Sequence, residues 1–103
     1  MELPDEATRH LFLFFREALH NVIRHSKAAK VEVQVEEAGG RFRLVIADDG
    51  VGIEPKRLDR PATLHALRQR AEALGAEFTV DSQPGAGTRL MLAVPLPKRK
   101  PVR

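Results

Sequence analysis

These 103 residues contain no cysteine, no tryptophan and no tyrosine. Without thiols there are no disulfides and no thiolate metal sites, and a reducing compartment is permitted. Five phenylalanines are the whole aromatic complement, few for a surface that stacks nucleic-acid bases. Long hydrophobic runs are missing too. The longest strongly apolar stretch, Leu11 to Phe15, is far below the roughly 20 residues of a membrane-spanning helix. The amino terminus carries no basic-then-apolar signal segment, so a cytoplasmic domain without membrane contact of its own is expected.

Positive charge is in slight excess, at a net +3. Four of the seventeen Lys and Arg residues, Lys98, Arg99, Lys100 and Arg103, stand in a tail broken by Pro97 and Pro101. That leaves thirteen basic against fourteen acidic residues elsewhere, close to neutral. A basic terminal run of this kind reads as a solvated end, and no direct nucleic-acid partner is expected. With 43% hydrophobic and 30% charged residues, the remainder has the composition of one small globular domain, residues 1–96, followed by the tail 97–103.

Pro4, Asp5 and Glu6 suit a helix start, because proline is tolerated in the first turn and acids complement the dipole. From Thr8 to about His25 the period is helical, with Leu11, Phe15, Leu19, Val22 and Ile23 on one face and Phe12 and Phe14 widening it. Val31, Val33 and Val35 alternate with polar residues as a half-exposed strand, and Ala38-Gly39-Gly40 turns into a second strand, Arg41 to Ala47. Asp48 to Ala62 has no period and reads as a loop. Thr63 is the expected N-cap of a helix through Leu64, Leu67, Ala71 and Leu74, with Gly75 after its end. Phe78 and Val80 mark a third strand, Gln83 to Gly87 a turn, and Thr88 to Val94 a fourth strand. The fold class is therefore α/β (α+β): a two-layer sandwich with a mainly antiparallel, mixed sheet covered on one face by helices. A fifteen-residue loop in so small a domain points to function.

Three groups carry chemistry. Glu17 and Asn21 are four apart and so share one helix face, with Arg24 and His25 a turn further on. An amide oxygen suits Mg²⁺, a hard ion often shared with substrate phosphates, and a carboxylate can orient or deprotonate a reacting group. Alone, this is also the ordinary polar face of an amphipathic helix. The second group, Asp48-Asp49-Gly50-Val51-Gly52, follows a strand. A carboxylate there can accept a hydrogen bond from an exocyclic amine, and glycines let a flat ring approach the backbone. Alone, it is also an acidic turn. The third, Gly85-Ala86-Gly87-Thr88, is by itself only a turn.

In this order and at these intervals the three groups are specific. The run Phe15 to His25 resembles the N box of histidine-kinase ATPase domains. Asp48-x-Gly50-x-Gly52 resembles their G1 box, and Gly85-x-Gly87-Thr88 their closing glycine-threonine motif. Leu64 to Gly75 is similar to the helix after the ATP lid in the nitrate-sensor/DesK-like subgroup. The likeness covers Leu3 to about Leu96 and implies the Bergerat ATP-binding fold, shared with gyrase and bacterial anti-sigma kinases. What it implies for function is an enzyme, the ATP-binding catalytic domain of a two-component sensor histidine kinase, with ATP and Mg²⁺ as cofactors. It places adenine on Asp48, with Gly50, Gly52, Gly87 and Thr88 around it. It also gives Mg²⁺ to Asn21, phosphate contacts to Arg24 and His25, and activation of the reacting group to Glu17; the start of the lid helix, at Thr63, Leu64 and His65, is expected to add an anion site through its dipole.

One departure from the family pattern stands out. A Gly-x-Gly pair usually precedes the lid helix and offers free N–H groups to phosphate. Here the positions read Pro61-Ala62-Thr63, and proline has no N–H. A docking module without catalysis is one alternative that follows; an anti-sigma-type serine kinase is another. His10, His20, His25 and His65 all fall within the ATPase likeness, so the phosphate-accepting histidine is expected on a separate dimerisation domain of the parent protein. A response regulator is the expected downstream partner.

Overall fold

A computed structural model describes residues 5–23, 27–53, 56 and 64–96. The elements run α1 (Asp5–Asn21), β1 (Val31–Ala38), β2 (Arg41–Asp48), α2 (His65–Ala73), β3 (Glu77–Ser82) and β4 (Thr88–Pro95). The four strands lie in the order β1-β2-β4-β3, and all three pairings are antiparallel. Gly39 and Gly40, both at positive φ, close the β1–β2 hairpin, as a two-residue turn of the I′ type requires.

Strand alternation divides the sheet into two faces. On one face, β2 and β4 bring Phe42 opposite Val94. Next come Leu44, Leu92 and Phe78, then Ile46, Leu90 and Val80. These rungs meet Phe14 and Ala18 of α1 and Leu67 and Ala71 of α2 in the core. Leu92 and Leu67 are fully buried, and truncating such a leucine to alanine costs about 2–5 kcal/mol. The Phe14 and Phe78 rings meet edge to face with centroids 5.4 Å apart, the geometry their quadrupoles favour. On the other face, Arg43 with Glu36 and Arg41 with Glu77 form exposed ion pairs, worth little on such a surface.

The helix expectations need three corrections. The stripe of α1 that faces the sheet is Phe14, Ala18 and Val22, while Leu11, Phe15 and Leu19 flank it half-buried. Phe12 and Ile23 project away, at 64% and 79% exposure. The helix ends at Asn21 and its last turn widens to a π turn at Val22 and Ile23. The N-cap of α2 is Leu64, not Thr63; it sits at φ 60 with no side-chain cap bond. Leu64 packs against the core, and that apolar anchor holds the helix start at a residue with no capping side chain.

The carboxyl end of α2 is as expected. Gly75 at φ 63 donates to the Glu72 carbonyl, and Ala76 to that of Ala71, a Schellman closure. The expectation for β1 is overturned: all eight residues are exposed, because β1 is an edge strand beyond the cover of both helices. Pro61, Ala62, Thr63, Arg24, His25 and the tail 97–103 lie outside the described residues.

Candidate functional site

The site begins where the rungs change character. Two residues beyond Ile46, Leu90 and Val80, the same face carries Asp48, Thr88 and Ser82, paired across three strands. A polar rung thus ends three apolar ones. Its members are neither exposed nor fully buried.

Asp48 is held by one oxygen. The Gly50 N–H donates to Oδ1 at 2.8 Å, and Oδ2 has no partner among the described residues, so it remains available as an acceptor. Asp49, its neighbour, does other work. Its Oδ1 accepts from the N–H groups of Ala29 at 2.8 Å and Lys30 at 2.9 Å. The Lys30 N–H bond is the largest influence, and with the Ala29 bond it outweighs desolvation and holds the carboxyl below its ordinary value. Asp49 thereby ties the segment after α1 to the end of β2, while Asp48 stays free to meet a ligand.

Two glycines are dictated by backbone contact. A Cβ on Gly52, at φ 76, would strike the Gln83 carbonyl oxygen; one on Gly87, at φ 81, would strike that of Asp48. The Gly85 N–H donates to the Val51 carbonyl at 2.8 Å. The loop after β2 and the turn before β4 therefore interlock at their glycines. The glycines after Asp48 are expected to admit a flat ring; at Gly52 the group that approaches is another stretch of this chain.

Ser82 was not foreseen. Its Oγ receives the Ile53 N–H at 2.7 Å and lies 2.7 Å from Thr88 Oγ1 and 3.1 Å from the Gly87 carbonyl oxygen. The available signal was parity, since Phe78, Val80 and Ser82 fall two apart. A cavity of about 390 Å³ also touches Asp48 and Thr88. Its other walls include Ala47, Asp81 and Arg89, which alternation places on the helix-free face. It therefore extends round the end of the sheet, from the polar rung to the helix-free face.

The second part of the site lies on the helices. Glu17 lines a groove of about 260 Å³ with Leu13, Arg16 and His20 of α1 and Ala66 and Arg70 of α2. Arg70 also reaches His10, with Nη1 to Nδ1 at 3.3 Å, so this contact helps hold the two helices together. Asn21, half-buried, is the last residue of α1. The chain then passes through residues 22–30 to Val31, the register partner of Asp48. Topology thus leads from the Asn21 end of the helix to the Asp48 end of the sheet. Among the described residues no three His, Asp or Glu side chains form a metal-binding cluster. An amide with one carboxylate a turn away suits an ion that keeps water and phosphate ligands, as Mg²⁺ does.

This arrangement has known counterparts. The family model for histidine kinase-, DNA gyrase B- and HSP90-like ATPases matches residues 6–98, and the chain belongs to that family. Within it, the chain is similar to the ATP-binding regions of sensor histidine kinases. It is 35% identical over 98 residues to the sensor protein VraS of Staphylococcus saprophyticus, and 34% over 100 residues to that of Staphylococcus epidermidis. These matches take in 94% and 96% of the chain but 28% and 29% of the relatives. The histidine kinase domain of the Erythrobacter litoralis EL346 blue-light activated kinase superposes with a TM-score of 0.80 at 26% identity, over 93% of this chain and 50% of that one. The ATP-binding domain of PrrB from Mycobacterium tuberculosis shares the fold, with a TM-score of 0.73 at 24% identity, over 87% of this chain and 69% of that one.

Proposed function

We propose that this domain binds ATP with Mg²⁺ and donates the γ-phosphoryl group to a histidine on the dimerisation domain of a longer sensor kinase. A response regulator receives the group next. The observation that carries this reading is Asp48, whose Oδ2 has no partner among the described residues and lies beside Thr88 at the end of an apolar floor. A fixed carboxylate oxygen of this kind accepts the exocyclic amine of adenine, and a hydrogen bond to a charged group is worth about 1.5–3 kcal/mol.

Asn21 would hold Mg²⁺, which neutralises charge on the phosphates. Glu17 in the helix groove orients the acceptor imidazole or takes its proton as the P–N bond forms and the bond to ADP breaks. Catalysis of this type is chiefly positioning and charge neutralisation. On the family likeness, Arg24, His25, Thr63 and Leu64 would contact the phosphates, and Gly50, Gly52 and Gly87 would shape the base end. No helix among the described residues is long and apolar enough to cross a membrane; the likeness to sensor proteins supports work on the cytoplasmic side of a membrane-bound sensor.

The test is a calorimetric titration of the chain with ATP and ADP, each with and without Mg²⁺. Saturable ATP binding that Mg²⁺ strengthens more than it strengthens ADP binding is expected. Absence of ATP binding sinks the proposal.

A further inference from the structure

The hydroxyl of Ser82 has more neighbours than protons. Its Oγ accepts the Ile53 N–H at 2.7 Å, and that direction is settled because a backbone N–H can only donate. Ser82 then has one proton for two acceptors, the Gly87 carbonyl at 3.1 Å and Thr88 Oγ1 at 2.7 Å. If the proton goes to Gly87, Thr88 donates to Ser82 and turns its lone pairs outward. If it goes to Thr88, the Thr88 O–H is released to donate outward. The Gly87 carbonyl is not orphaned by that change, since the Gln83 N–H also donates to it, at 3.4 Å.

The second state matches a particular ligand edge. Thr88 is the register partner of Asp48 on the same face of the sheet, and such cross-strand side chains stand roughly 5 Å apart. Together they offer an acceptor, Asp48 Oδ2, beside a donor, the Thr88 hydroxyl. Adenine presents the complement on one edge, an amine donor beside the ring nitrogen N1 as acceptor. Hypoxanthine reverses both, with a carbonyl oxygen and an N1–H.

We infer that Ser82 is a positioning residue for base recognition: it directs the Thr88 hydroxyl outward as a donor and anchors the segment after Asp48, at Ile53, to the same point. This rests on the reading that a nucleotide base occupies the polar rung. Ser82 acts through Thr88 and Ile53 and need not touch the ligand.

The experiment measures affinities for ATP and inosine triphosphate by calorimetry on the chain and its variants Ser82→Ala, Ser82→Thr and Asp48→Asn. Ser82→Ala should weaken ATP binding by about tenfold, the scale of one hydrogen bond. It should leave inosine triphosphate nearly unchanged, so the preference for ATP collapses. Ser82→Thr, which keeps the hydroxyl, should restore it. An unchanged ATP preference in Ser82→Ala overturns the inference, whatever happens to melting temperature. Should Ser82→Ala fail to fold, Thr88→Val, which leaves Ser82 in place, must show the same collapse; an unchanged preference there overturns it equally. Wild-type binding that Asp48→Asn weakens, with Ser82→Ala neutral, removes only the role of Ser82. No wild-type ATP binding removes the nucleotide reading and this inference with it.

Discussion

The two ends of the proposed site, one for the base and one for the phosphates, are built by different means. The base end stands on strand register: Asp48, Thr88 and Ser82 are brought together by pairings that also align the core, and the loops around them interlock at Gly52 and Gly87. The phosphate end stands on helix ends. Asn21 closes α1 just before a widened turn, and Leu64 opens α2 at a left-handed φ without a side-chain cap. A left-handed leucine costs about 1–2 kcal/mol, which contact with the core offsets. Register resists displacement because a one-residue slip would turn every core side chain to the wrong face. A helix end has no such lock, so greater stiffness is expected at the proposed base end than at the proposed phosphate end.

The largest test of that contrast is Gly87→Ala. Its Cβ meets the Asp48 carbonyl on top of the positive φ, so a loss of about 3 kcal/mol or more is expected. That corresponds to a fall in Tm of about 12–24 °C in thermal unfolding. Gly39→Ala has positive φ but nothing within 4 Å, and should cost about 1–2 kcal/mol. Equal falls in Tm would deny that the interlocked loops stiffen the base end.

Asp48→Asn comes next. Asn Oδ1 can still accept the Gly50 N–H, so the fold should survive while an NH₂ replaces the free oxygen and faces the base amine donor to donor. ATP affinity should drop about 10- to 150-fold, and inosine triphosphate affinity much less. Equal ATP affinity in variant and wild type would place the base elsewhere.

Asn21→Ala tests the other end. It should weaken ATP binding about five- to tenfold with Mg²⁺ present and leave metal-free ADP binding nearly unchanged. Parallel losses for both ligands would make Asn21 a structural residue of the helix.

Asp49 should give the smallest effect. Its carboxyl lies below its ordinary value, 3.8, in the folded chain, so the unfolded chain binds more protons near pH 4. Stability from this clamp is therefore present above that pH and lost as pH falls through the folded value. Asp49→Ala should flatten the decline of Tm between about pH 5 and pH 2. An unchanged slope would mean that the clamp is not populated in solution.

Much of this was legible in the chain itself, for reasons that differ by element. Gly39-Gly40 and Gly75 were readable because positive φ is a local demand that glycine answers locally. Asp48 was readable from its place after a β run and before two glycines. The α1 stripe was harder: Phe14, Ala18 and Val22 keep the helical period as well as Leu11, Phe15 and Leu19 do, and only the sheet beneath selects between them. The same holds for Val31, Val33 and Val35, whose alternation promised a buried face that an edge strand without a helix above it does not have.

Sequence alone therefore determined the order of elements and the turns, because each follows from short-range periodicity or from spacing along one strand or helix, and its motif residues carried the resemblance to the family. Tertiary structure decided which of two equivalent helix faces is buried. It also decided that Asp49 is a clamp while Asp48 stays free, and that Gly52 and Gly87 face carbonyls of distant segments. Ser82 joins the site for the same reason. These properties depend on which strand lies beside which, and β3 reaches β2 only across β4, a long-range pairing that local pattern does not encode.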